Sequence, residues 1–260
     1  MTDGGAVPTY PDLKGKVAVV TGGSKGIGAA TCRVLAANGV KVVVNARSLP
    51  DVESVVDEIR RAGGVAIPVV ADCTRQDEVE RLRATSEVEL GPVDILLPFA
   101  GGFTRYTPAH EIDEREWRDV IDGNLTSTFL AVRTFLPGMI GRRRGAIVTM
   151  SSNAGRFLDI QTTASYAAAK AGVIMFTRHV AKEVGRHGIR VNCVAPATVL
   201  TERIERLMSE ERRVETAALA PLGRMGTPED VALATLFLVS ESASWLTGVT
   251  LDVTGGRIML

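Results

Sequence analysis

Aromatic side chains make up only 5% of this 260-residue chain, which also has three cysteines, three histidines and no formal net charge. Each scarcity excludes something. Cys32, Cys73 and Cys193 are an odd number, widely scattered and without metal-ligand spacing, so neither a disulfide framework nor a metal site is expected. They read as free thiols of a reducing cytoplasm. A charge balance of zero gives no electrostatic reason for a nucleic-acid or membrane partner. No apolar run approaches the roughly 20 residues that span a bilayer. Met1 to Leu13, with Gly4, Gly5, Pro8 and Pro11, lacks an apolar stretch of signal-peptide length and reads as a flexible arm. With no internal repeat, low-complexity tract or linker, residues 14–260 read as one domain.

What is present is a regular alternation. Short β-branched runs at Lys16–Thr21, Lys41–Asn45, Val65–Val70, Val93–Leu97, Ala146–Met150, Arg190–Val194 and Val249–Val253 read as strands. Between them, helical spacing covers Gly26–Asn38, Val52–Ala62, Asp77–Leu90, Asp113–Met139 and a helix running to about Gly185. Strands alternating with helices predict an α/β fold, a Rossmann-type doubly wound parallel sheet of about seven strands with helices on both faces.

Two stretches carry chemistry. In Tyr166-Ala167-Ala168-Ala169-Lys170, the three alanines favour helix, which puts the phenol and the ammonium on one face. A cation beside a tyrosine favours the phenolate and lowers its pKa from about 10, making Tyr166 a candidate general acid and base with Lys170 as its tuning group. Coincidence is the competing reading: Tyr10 and Lys14 have the same spacing, but Pro11 and Gly15 preclude a helix there. The second stretch, Thr21-Gly22-Gly23-Ser24-Lys25-Gly26-Ile27-Gly28, joins the first strand to the first helix, where open α/β sheets bind ligands. Glycines there admit a pyrophosphate to the backbone and to a helix N-terminus. It is not a Walker loop, because Gly26 follows Lys25 in place of Ser or Thr. After the second strand comes Asn45-Ala46-Arg47-Ser48, with no acid until Asp51. A carboxylate there would hold the ribose of NAD, whereas Arg47, helped by Lys25, suits the extra phosphate of NADP(H), which is favoured over NAD(H). Both cations are otherwise ordinary surface residues.

Together these pieces resemble the short-chain dehydrogenase/reductase family over about Leu13 to Gly256. Its Thr-Gly-x-x-x-Gly-x-Gly loop matches Thr21 to Gly28, and its Tyr-x-x-x-Lys pair matches Tyr166 and Lys170. Its catalytic serine matches Ser152 better than Ser151, its helix asparagine matches Asn124, and its adenine-side aspartate matches Asp72. The resemblance implies that Tyr166 donates or removes the proton of a carbonyl or alcohol, that Ser152 orients that oxygen, and that Lys170 also holds the nicotinamide ribose. Asn124 is implied as a relay from Lys170 to solvent. Cofactor contacts are implied for Gly22, Ser24, Lys25, Gly26, Ile27 and Gly28, for Arg47, Asp72, Cys73, Ala100 and Gly101, and for Pro196, Val199 and Thr201. Two departures are Pro98-Phe99-Ala100-Gly101, where the family has Asn-Asn-Ala-Gly, and Pro196-Ala197, where it has Pro-Gly.

Substrate choice is expected in Gly102–His110, Arg156–Thr163 and Leu200–Met225, the last reading as one or two charged helices and, over 198–225, as a candidate lid. Ile204, Leu207 and Met208 face either the pocket or the core, while Phe103, Phe157 and Leu158 suggest a partly apolar pocket. The nearest subgroup resemblance is to 3-oxoacyl-thioester reductases. A polyol, sugar or steroid dehydrogenase working toward oxidation is the alternative, and a silent dinucleotide-binding scaffold a more distant one. Arg142 to Arg144 and Lys182 read either as solvated surface or as a dock for an acidic carrier protein. The stretch from Trp245 to Gly256 resembles the family's subunit-contact region, which implies a homotetramer.

Overall fold

The structure, a computed structural model, describes residues 7–102, 105–158 and 162–259. The β-branched runs become β1 (Val17–Thr21), β2 (Lys41–Ala46), β3 (Val65–Val70), β4 (Ile95–Pro98), β5 (Gly145–Met150), β6 (Ile189–Pro196) and β7 (Thr250–Val253). They form one seven-stranded sheet in the order β3-β2-β1-β4-β5-β6-β7, and every neighbouring pair is parallel. Strand order reverses between β1 and β4, which opens a crevice at their carboxyl ends.

Successive strand residues point to opposite faces, so each strand feeds two cores. Ala18, Val20, Val42, Val44 and Leu97 pack with residues of α1 (Gly26–Ala37), α2 (Leu49–Arg61) and α9 (Pro228–Val239). Val17, Val19, Val43, Leu96 and Ile147 pack with α3 (Gln76–Leu90), α5 (Ser127–Arg142) and α6 (Ala164–Val184). Burying each such side chain contributes about 1.5–3 kcal/mol, which is why runs apolar on both faces settle in the middle of the sandwich. No helix among the described residues is long and apolar enough to cross a membrane.

Beyond small shifts at element ends, four departures from the sequence reading have a visible cause. The helix expected over Asp113–Met139 is broken: α4 (Glu114–Ile121) leads into a π-helical turn at Asp122–Thr126 before α5 begins. Helix α9 has no counterpart in the sequence reading, because its run VALATLFLV is apolar all round and carries little amphipathic signal. Strand β4 begins two residues later than Val93, since Asp94 turns its carboxylate back to accept the Val17 N–H at 3.1 Å. Over its described part the supposedly loose arm is tied down. Leu13 is fully buried, the Tyr10 N–H donates to Asn38 Oδ1 at 2.8 Å, and Asn38 Nδ2 donates to the Pro8 carbonyl at 3.1 Å.

Between β6 and α9 the chain forms α7 (Glu202–Leu207) and α8 (Glu210–Ala218). Neither has a strong grip on the body: α7 buries no residue and α8 only Thr216. Leu207, expected to face pocket or core, is 70% exposed. Helix α9, by contrast, starts on a capping box in which Thr227 Oγ1 accepts the Asp230 N–H and Asp230 accepts the Thr227 N–H. Thr227→Ala is expected to cost about 1 kcal/mol, read as a lower urea midpoint at unchanged slope.

Candidate active site

The β1–α1 loop lies at the reversal point. A Cβ on Gly28 would run into the Gly22 carbonyl, so only glycine lets this loop close on itself. No side chain caps the N-terminus of α1. A tight backbone cradle leading into an uncapped helix end suits a diphosphate, through N–H donors and the positive end of the helix dipole. Gly22, Ser24, Gly26 and Ile27 are partly exposed, Gly28 is buried, and Lys25 is exposed. Across the crevice a Thr201 methyl carbon lies 2.9 Å from where a Gly26 side chain would begin.

At the end of β2 the Asn45 side chain faces inward, donating to the Val69 and Ala71 carbonyls at 3.0 and 3.2 Å and leaving Arg47 as the exposed polar residue. Lys25 is paired with Asp51 at 2.7 Å, an exposed ion pair that holds the Asp51 carboxyl below its usual range. The cationic patch is therefore Arg47 with a Lys25 that already has an anionic partner. Asp72 accepts from Thr74 N and Oγ1 and feels the Arg47 charge. The Cys73 thiol is turned inward to Asn45 Oδ1 at 3.1 Å, and burial pushes it up to about 12. Cys73 therefore presents backbone, not sulfur, to the groove.

Beyond β4, Phe99, which stands where the family has asparagine, belongs to the same apolar core as Val199. The Ala100 N–H donates to Thr21 Oγ1 at 3.1 Å. The loop at Gly101 and Gly102 is held by Asn124, fully buried in the π-helical turn. Its Oδ1 accepts the Gly102 N–H at 2.8 Å, and its Nδ2 donates to the Gly102 and Val120 carbonyls at 2.9 and 2.8 Å. The Asn124 side chain therefore acts as a brace for this loop. The wider turn aims Asn124 at the loop, consistent with π-bulges gathering at functional sites.

The end of β5 separates the two serines. Ser151 Oγ donates to the Lys170 carbonyl at 2.7 Å, whereas the Ser152 side chain is hydrogen-bonded to the Tyr166 phenol. Helix α6 begins on Thr163, whose Oγ1 accepts the Tyr166 N–H at 3.2 Å. Lys170 lies one turn below, its Nζ donating to the Met150 carbonyl at 2.9 Å and standing 5.5 Å from the Tyr166 ring centre.

The electrostatics correct the expected tuning. Burial pushes the Tyr166 phenol above its ordinary value, opposed by the Ser152 hydrogen bond and the Arg203 charge. Lys170 is itself pushed down to about 8 by burial. Its ammonium is held beneath the ring by the Met150 carbonyl, so desolvation outweighs the attraction expected from spacing alone.

Arg203 was not legible in the sequence. It is the second residue of α7, with Nη1 3.8 Å from where a Gly102 side chain would begin. Val199 is buried and bridged to Gly226, the Ala197 N–H donates to Val253 at 3.2 Å, and buried Pro196 ends β6. Phe157 and Leu158 stand on the rim at 58% and 83% exposure, while Phe103 lies outside the described residues. The arginine run is elsewhere. Arg144 pairs with Asp94 at 2.9 Å, and Arg143 donates to the Arg186 carbonyl at 3.0 Å. These contacts place it at the amino end of β5, about 20 Å from the crevice by strand length. A cavity of about 560 Å³ also lies at that end, between Asp94, Arg144, Arg190 and Trp245, and is lined by none of the site residues.

The sequence model describing short chain dehydrogenases matches residues 16–212. The chain belongs to the short-chain dehydrogenase/reductase family. It is therefore an oxidoreductase of the CH–OH/C=O pair. It is 40% identical to 3-oxoacyl-(acyl-carrier-protein) reductase FabG of Vibrio cholerae over 250 residues, covering 96% of this chain and 100% of that protein. It is also 40% identical to 3beta-hydroxysteroid dehydrogenase 1 of Eggerthella lenta over 252 residues, covering 96% of each. Among solved structures it resembles a Brucella melitensis 3-oxoacyl-(acyl-carrier-protein) reductase with bound NAD, at TM-score 0.91 and 32% identity, covering 100% of this chain and 99% of that one.

In this short-chain dehydrogenase the raised Tyr166 pKa has a direct readout. In ultraviolet titrations the difference between the protein and its Tyr166→Phe variant, which keeps Tyr10 and Tyr106, should show this phenol ionising only above the ordinary tyrosine range. A band already developed at neutral pH would contradict the dominance of burial.

Proposed function

We propose that this protein is an NADP(H)-dependent ketoreductase that converts a 3-oxoacyl thioester, or a similar ketone, to a secondary alcohol. The observation that carries the reading is the meeting of Ser152, Tyr166 and Lys170 beside a glycine cradle built for a diphosphate. Similarity to reductases of 3-oxoacyl-acyl-carrier-protein supports the substrate class. A nicotinamide dinucleotide, when bound, supplies the hydride. Gly22, Ser24, Gly26 and Ile27 would hold its diphosphate and Arg47 its extra phosphate, with Asp72 on the adenine side and Val199 and Thr201 toward the carboxamide.

The chain's own residues manage the oxygen and the proton. Ser152 hydrogen-bonds the substrate oxygen and aims it at Tyr166. A phenol whose pKa lies above the ordinary value is fully protonated at neutral pH, which suits donation to an oxygen that becomes an alkoxide as the carbonyl is reduced. Lys170, close to its own midpoint at pH of about 8, can return a proton toward the phenol. Asn124 keeps Gly101 and Gly102 in place as the crevice wall.

Arg142 to Arg144 lie about 20 Å from the crevice, so an acidic carrier docked on them and Lys182 would deliver its thioester on an extended arm. Three buried free cysteines suit a reducing cytoplasm, and the Trp245–Gly256 stretch supports a homotetramer, both as parts of the proposal. The steroid dehydrogenase relative supports a second reading, oxidation of a secondary alcohol on a fused-ring substrate. The assembled Ser152, Tyr166 and Lys170 speak against a silent scaffold.

Purified protein is expected to oxidise NADPH, followed at 340 nm, with acetoacetyl-CoA as substrate. Tyr166→Phe should lower kcat by about 100-fold or more while NADPH binding stays within about twofold. Unimpaired turnover in that variant would remove Tyr166 from the mechanism. Arg47→Ala should weaken NADPH by about 10- to 100-fold with little effect on NADH, measured by cofactor fluorescence. Equal losses for the two cofactors would refute the phosphate assignment.

A further inference from the structure

Arg156 follows the Ser152 turn directly, and its side chain crosses to β7. Its Nη1 lies 2.9 Å from Asp252 Oδ2 and donates to the Thr250 carbonyl at 3.2 Å. Both charged side chains are largely buried, at 16% and 17% exposure. Burial pushes the Asp252 carboxyl up, and the Arg156 guanidinium opposes it. Asp252 Oδ1 and Thr250 Oγ1 are buried nearby with no hydrogen-bond partner among the described residues. A buried ion pair is weak evidence for stability, since well-packed apolar replacements are often as good or better. A reason of position fits this pair better.

The turn itself shows what is positioned. The Ala154 N–H donates to Ser152 Oγ at 3.2 Å and the Gly155 N–H to the Ser152 carbonyl at 3.0 Å. The Arg156 and Phe157 N–H groups both donate to the Asn153 carbonyl, at 2.9 and 2.8 Å. After Arg156 the chain leaves the body, with Phe157 and Leu158 exposed on the rim. Arg156 is therefore the side chain at which the catalytic turn is pinned before the rim begins. The continuation of β7 supports the foot of the other covering segment as well: the Leu222 N–H donates to the Gly255 carbonyl at 3.1 Å.

We propose that Arg156, gripped by Asp252 and Thr250 of β7, is a positioning residue that fixes the Ser152 turn and so sets the Ser152 hydroxyl against Tyr166. Its kinetic consequence rests on the ketoreductase reading above; its structural consequence does not. Neither residue belongs to the motifs matched in the sequence, and the pair reaches from the fifth strand's end to the seventh strand.

The test uses the full chain with Arg156→Ala, Asp252→Asn, the double variant and Arg156→Lys. Hydrogen exchange read by mass spectrometry should speed up by about tenfold or more across 152–157 in both single variants, while α6 and α1 keep their protection. With acetoacetyl-CoA and NADPH, kcat should fall by about tenfold or more, with a smaller change in KM and unchanged NADPH affinity. The double variant should be no worse than either single one, because the two residues act as a unit. Arg156→Lys should recover part of the loss. Wild-type exchange across 152–157 in both single variants, additive losses in the double variant, or loosening spread equally over α6 and β7 would each overturn the proposal. A wild type that leaves acetoacetyl-CoA unreduced would overturn the ketoreductase reading, and the exchange measurement would still decide the anchor.

Discussion

The end of β5 lies directly on the backbone of α6 at Lys170. A Cβ on Gly155 would come within 2.6 Å of the Lys170 carbonyl carbon, so the turn can seat there only with glycine. Ser151 donates to the Lys170 carbonyl from one side, and Lys170 Nζ donates back to the Met150 carbonyl from the other. These reciprocal bonds fix a strand end to a helix turn. Ser152 and Tyr166 consequently meet, although they belong to different elements. The Arg156 anchor ties the same turn to β7, while the Asn124 brace holds the loop at Gly102.

Close packing has an electrostatic consequence. The junction that brings Ser152, Tyr166 and Lys170 together also removes water from them, and desolvation penalises whichever form is charged. The phenol is pushed up and the ammonium down to about 8, so two groups that start nearly level are driven apart. The phenol then holds its proton more tightly than the lysine does, the reverse of the order for the free side chains. The hydroxyl of Ser152 and the charge of Arg203 are the groups that pull the phenol back, and Arg203 stands on α7, a helix that buries no residue.

Much of the architecture was legible locally. Val65–Val70 was read with the bounds the structure gives, and Lys41–Asn45 fell one residue short of β2, because β-branched runs buried on both faces leave a strong signal. The failures have equally local causes. Helix α9 is apolar all round, the π-helical turn at Asp122–Thr126 breaks a helical period that the sequence continues, and Asp94 delays β4 through a contact with Val17 on another strand. In the site, spacing found Tyr166 and Lys170 and placed the glycine loop, but it could not show that Lys25 already has Asp51 or that Arg142 to Arg144 sit at the opposite end of the sheet from the crevice.

By itself the sequence determined the order of strands and helices, the glycine loop, and the pairing of a tyrosine with a lysine one helical turn away, since each depends on residues close together in the chain. Only the tertiary structure decided which serine faces the phenol, that Asn124 braces Gly102, that Arg203 and Arg156 belong to the site, and that burial dominates the titration of Tyr166. Those outcomes depend on how much water is excluded and on which distant atoms come within a few ångströms, and neither quantity is encoded in the spacing along the chain.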